Sequence, residues 1–164
     1  MKILKKLLLV LLVAFIIIQF FRPEKNIQTT PSPNDLVAHY TVPADVQNVL
    51  YKACYDCHSN HTNYPWYANV QPVAWWLDDH IQEGKKELNF SEFAGYRLRR
   101  QYHKFEETIE QVKEGEMPLD SYTKLHSEAK LTQQERELLV SWAGNMMESM
   151  RAKYPMDSLV APKK

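Results

Sequence analysis

The entire cysteine content of this 164-residue chain lies in one five-residue run, Cys54-Tyr55-Asp56-Cys57-His58. Two cysteines cannot build the multi-bridge framework of a small secreted scaffold. Their spacing, C-x-x-C-H, is the attachment signature of c-type haem. On a helical turn Cys54 and Cys57 share one face, where their thiolates can form thioethers with the two vinyl groups of one porphyrin. His58 follows directly, and its imidazole can reach the iron from the same side as the proximal ligand. With two Cys and six His, chance yields the pattern in about one such chain in a thousand. A thioredoxin-like redox pair would want a βαβ context, which the sequence lacks. Structural zinc would need a fourth ligand and usually two more cysteines.

A second axial ligand is sought in Gly115-Glu116-Met117-Pro118, where Gly and Pro release the backbone from helical geometry. Met117 there can swing its thioether towards a haem face as the expected sixth ligand; its plain alternative is to plug a core gap. His/Met coordination closes the iron to outside ligands and favours electron transfer over oxygen chemistry. His80 and His126 are the alternative distal ligands. His61 reads as a loop hydrogen-bonder, and His39 and His103 as surface residues. Trp66, Tyr67, Trp75, Trp76, Tyr96 and Trp142 are expected to pack the core or the haem pocket. Arg97, Arg99 and Arg100 are candidate countercharges for haem propionates.

Residues Ile3 to Phe21 are apolar apart from Lys5, Lys6 and Gln19. Nineteen residues at helical rise reach about 28 Å, close to the hydrocarbon thickness of about 30 Å. The small residues of a signal-cleavage site are missing, so residues 1–21 are expected to form an uncleaved membrane anchor rather than a signal segment. Lys2, Lys5 and Lys6 would keep the N-terminus cytoplasmic and the remainder periplasmic, where c-type haem is attached. Residues 22–35, with Pro23, Pro31 and Pro33 among polar residues, read as a flexible linker. Residues 156–164 read as a short polar tail. Beyond Phe21 the chain carries 17 basic against 20 acidic residues. That balance excludes a strongly basic nucleic-acid binder.

Four helices are expected in residues 36–155. The first opens at Pro43 and repeats Val46, Val49, Leu50, Ala53 and Cys57 at spacings of three and four. The second starts near Pro72, carries Trp76, Leu77, His80 and Ile81 on one stripe, and stops by Gly84. The third shows Tyr102, Phe105, Ile109 and Val112 and ends at a Gly115 C-cap. The fourth opens on the capping box Thr132-Gln133-Gln134-Glu135 and buries Leu138, Leu139, Trp142 and Met146. No stretch sustains period-two alternation, so the fold class is all-α.

This arrangement resembles cytochrome c: a helix leading into C-x-x-C-H, then G-x-M-P, then a capped C-terminal helix. More closely, the chain resembles the haem-binding domain family of bacterial single-haem proteins. The matching runs are Cys54 to Asn60, Tyr64-Pro65-Trp66-Tyr67, His80 to Lys85, Leu88 to Glu92, Met117-Pro118-Leu119, Tyr122, His126 and Leu131 to Trp142. Together they cover about Leu36 to Tyr154. Where relatives often carry Trp after the Ser-Glu pair, this chain has Phe93. The resemblance implies a cytochrome c-like helical domain with one covalent haem c on Cys54, Cys57 and His58, and Met117 as the further ligand. It also links the family to cytochrome c peroxidases by domain association, which makes redox proteins the expected partners. The leading expectation is a membrane-anchored electron carrier with no catalytic residues. A haem-based ligand sensor and an accessory haem domain serving a peroxidase are the alternatives.

Overall fold

The computed structural model describes residues 2–161. Its helices are α1 (Lys2–Ile18), α2 (Leu36–His39), α3 (Ala44–Ala53), α4 (Tyr55–His58), α5 (Val73–Glu87), α6 (Leu98–Glu114), α7 (Asp120–Thr123), α8 (Gln133–Lys153) and α9 (Met156–Leu159). Among the described residues, β pairing is limited to an isolated antiparallel bridge between Ile27 and His61. The all-α expectation holds.

The expected membrane helix does not. No helix of the described residues is long and apolar enough to cross a membrane. The reason lies at Gln19. Its side chain donates to the Gln71 carbonyl at 3.2 Å and accepts from the Gln71 amide at 2.9 Å, so α1 ends at Ile18 and the chain turns onto the domain. The 17 residues of α1 rise about 25 Å, and Lys2, Lys5 and Lys6 are among them. This overturns the single-pass anchor, and with it the localisation in the cytoplasmic membrane with a periplasmic domain.

The stretch 22–35 is bonded along the domain surface. Asn26 donates to the Ser59 carbonyl (2.9 Å) and Thr62 Oγ1 (3.0 Å), and its amide donates to Tyr64 Oη (2.8 Å). At the other end α9 buries Leu159. The expected tail extends over residues 162–164, which lie outside the described residues.

α6 and α8 form the main packed pair. α6 buries Tyr102, Phe105 and Val112 with Ile109 half-buried, and α8 buries Leu139, Trp142, Ala143, Met147 and Met150, where the expected Leu138 and Met146 are only half-buried beside them. Gly115 ends α6 with φ +79°, a left-handed conformation that glycine adopts without a Cβ penalty. Thr132 and Glu135 close the capping box as expected. The first expected helix is two. The backbone leaves helical geometry at Cys54 (φ −126°), and a second turn, α4, carries Cys57 and His58. α5 does not stop at Gly84 but runs through it to Glu87.

Candidate functional site

The break between α3 and α4 shapes the motif. The amides of Cys57 (3.2 Å) and His58 (2.9 Å) both donate to the Cys54 carbonyl, so the two cysteines stand on one tight turn. Both thiols are free, and both border a cavity of about 580 Å³, within the usual size range for a small-molecule or cofactor site. His58 and Met117 line the same cavity. Residues 63 positions apart in sequence, Cys54 and Met117, are thus brought to one site.

His58 Nδ1 lies 2.9 Å from the carbonyl oxygens of both Gly84 and Leu88. A carbonyl can only accept, so Nδ1 carries the proton. Nε2 is then the nitrogen with the free lone pair, the tautomer required of a metal-ligating histidine. Burial is the main cause holding the His58 pKa below its ordinary 6.5, which favours the neutral ring that a metal requires.

α5 delivers these carbonyls by an unusually close approach. A Cβ on Gly84 would lie 2.8 Å from the Cys57 carbonyl oxygen and 3.2 Å from Cys57 Cβ. Gly84 is therefore a site residue that sequence reading assigned only to a helix end. Its signal was available in the sequence as a glycine inside a helical period, which marks either a stop or a close approach.

The cavity wall is divided. Ala53, Leu88, Phe90, Val112 and Leu119 supply apolar surface, while α6 presents Lys104, Thr108 and Gln111. Glu83, Glu87, Glu107 and Glu110 also border the cavity, so its apolar part suits a large flat ring while its rim is mainly acidic. Lys104 is the one Lys or Arg among the described lining residues, and its ammonium lies 2.5 Å from Glu107 and 3.6 Å from Glu87. The three arginines expected to serve as countercharge are not in the lining. Arg99 and Arg100 donate instead to the carbonyls of Asp157 and Lys86.

His80 also borders the cavity, with Nδ1 2.8 Å from the Trp76 carbonyl. It stands one turn before Gly84, on the helix already packed against His58. His126 is outside the lining and pairs with Tyr67 Oη at 2.7 Å. His61 bonds to the Gln28 carbonyl, and His39 and His103 are exposed. Of the four tryptophans only Trp142 is buried. Trp66 is 80% exposed, and Trp75 and Trp76 are exposed too, which corrects their expected place in the core or pocket.

Comparison with protein families matches residues 13–145 to the haem-binding domain family. The chain belongs to that family. No curated protein and no solved structure matches it. The haem-binding domain thus has a family-wide cofactor and, in this chain, a cavity whose residues fit that cofactor. An imidazole with a free Nε2, two thiols and a thioether line the cavity.

Burial raises the pKa of Cys54 to about 12, with Cys57 as the lesser cause, and that of Cys57 to about 11, with Asp56 as the lesser cause. A redox-active dithiol needs the reverse, a stabilised thiolate. The haem-free protein should therefore lose stability as pH rises above about 9. The unfolded chain releases its thiol protons there while the folded chain keeps them, so the folded state binds more protons and stability falls with pH until about 11 to 12. Thioether formation would abolish this contribution. Urea titrations at pH 8 and 10.5 should show the cysteine-linked loss in the haem-free protein and in neither cysteine of the loaded one. Equal losses in both would contradict covalent linkage.

Proposed function

We propose that this chain is a monohaem c-type cytochrome that carries single electrons between redox proteins. Cys54 and Cys57 would form the thioethers, and His58 through Nε2 and Met117 through its thioether would hold the iron. One observation carries this reading: His58 donates Nδ1–H to two carbonyls and shares a single cavity with both thiols of its motif and with the Met117 thioether. Met117 is preferred to His80 because it reaches the cavity from the segment after α6. His80 belongs to the wall that braces His58.

The bound haem would supply the one-electron chemistry. The protein would supply two fixed ligand side chains, a partly apolar wall and a rigid turn, all of which would keep reorganisation small. A carrier of this kind needs no acid–base pair.

The test is Met117→Ala. The wild-type ferrous protein should be low-spin and form a carbon monoxide adduct slowly and incompletely at neutral pH. The variant should bind carbon monoxide readily, and its reduction potential should fall because a thioether ligand favours the ferrous state. Rapid, complete carbonyl formation by the wild type would contradict distal ligation. An unchanged potential and spin state in Met117→Ala would transfer the distal role to His80.

A further inference from the structure

The residue at the third position of the motif, Asp56, is an acid. Its carboxylate is fully engaged. Oδ1 accepts from the Asn63 amide at 3.0 Å and from Asn63 Nδ2 at 3.2 Å. Oδ2 accepts from Tyr122 Oη at 2.7 Å.

That last bond crosses 66 residues and joins the attachment turn directly to the segment that carries Met117. Tyr122 borders the cavity. Its ring also stacks on His126, with centroids 4.3 Å apart and planes 14° apart. His126 Nε2 in turn bonds to Tyr67 Oη at 2.7 Å. The His126 amide donates to the Tyr122 carbonyl at 2.9 Å, so the inner and outer anchors sit on one helical turn.

The segment has one further tie to α6, the Met117 amide donating to the Gln111 carbonyl at 3.2 Å, and the Tyr122 ring packs against the core. Glu116 is exposed, and Leu125, a large apolar residue, is 62% exposed. The Asp56–Tyr122 bond is the side-chain hydrogen bond that links this loop to the attachment turn.

We propose that Asp56 and Tyr122 are a positioning pair for Met117, fixing the reach of its thioether by fastening the ligand loop to the same turn that holds the cofactor. This rests on the distal role given above to Met117. The pair touches neither the iron nor the substrate electron and acts through the loop.

The experiment uses the haem-loaded chain and reads the far-red absorption band of a thioether–ferric bond, its loss on raising pH, and the reduction potential. Tyr122→Phe removes one hydrogen bond to a charged group and should favour detachment of the thioether about tenfold. For a one-proton detachment this lowers the pH midpoint of band loss by about one unit, with helical circular dichroism and haem content unchanged. Asp56→Ala should give a similar shift, and the double variant no more than either single one, as for two halves of one interaction. Tyr67→Phe, which loosens only the outer anchor, should shift the midpoint less and in the same direction.

A wild-type midpoint and potential in Tyr122→Phe would overturn the pair while leaving Met117 ligation intact, and so would additive shifts in the double variant. A wild-type protein with no thioether band would overturn Met117 ligation and the pair together. Should Tyr122→Phe fail to accumulate with haem, Asp56→Asn carries the test. It keeps the shape and an acceptor oxygen but removes the charge, so a lowered midpoint supports the pair and an unchanged one overturns it.

Discussion

Gly84→Ala should cut the yield of haem-loaded protein severely and destabilise what remains by about 1–3 kcal/mol. The new methyl would stand 2.8 Å from the Cys57 carbonyl oxygen and 3.3 Å from its carbonyl carbon. These are backbone atoms, so no rotamer change relieves the clash. Either α5 or α4 must move, and both movements break the 2.9 Å bond from His58 Nδ1 to the Gly84 carbonyl. The imidazole then loses part of the frame that fixes its tautomer. Gly144→Ala provides the control. Gly144 is also inside a helix, α8, but nothing lies within 4 Å of its Cβ position. There the gain in helix propensity should stabilise by about 1 kcal/mol. Opposite signs for one chemical change would show that the close approach, not helix propensity, governs Gly84. Matching stabilisation at both sites, with full haem loading, would contradict the account.

Phe105→Ala should cost about 3–5 kcal/mol. Phe105 is 2% exposed and is the aromatic hub of the core. Its ring centroid lies 4.9 Å from Phe93, 5.5 Å from Tyr40 and 5.6 Å from Trp142, the last at 82°. One substitution therefore weakens the contacts of α6 with α8 and with the segment around Phe93. A small domain has only about 5–15 kcal/mol in total, so a large share is lost. Urea unfolding should show a lower midpoint with an unchanged slope. A loss below 1 kcal/mol would show that the rings around the site can collapse into the space.

What could be read in the sequence was mainly what is local. The motif occupies five consecutive positions, the capping box four, and the stripes of α6 and α8 repeat within single helices. Each signal is therefore contained in a short window. Gly84 was misread because its role arises between two helices, where it meets Cys57 from 27 positions away. Residues 22–35 show no period because Asn26 and Gln28 are held by polar contacts with residues 59–64 and 30, which require no stripe. The length of α1 was overestimated because hydropathy extends to Phe21, whereas the helix is ended by the Gln19–Gln71 pairing. Composition suggested buried tryptophans. Trp75 shows why that inference fails: its indole N–H donates to the Phe21 carbonyl at 2.8 Å while the ring stays at the surface.

The proposed function stands on a cofactor bonded to the sulfurs of Cys54 and Cys57. It is tested most directly by a pyridine haemochrome spectrum of the purified protein, recorded before and after extraction with acidified organic solvent. The expected spectrum is of the thioether-linked type, in a ratio of one haem per chain, with all the colour remaining on the protein. Colour should also be lost when Cys54 and Cys57 are both replaced by Ser. A haem that passes into the solvent, or colour that survives the double replacement, would contradict the proposed function.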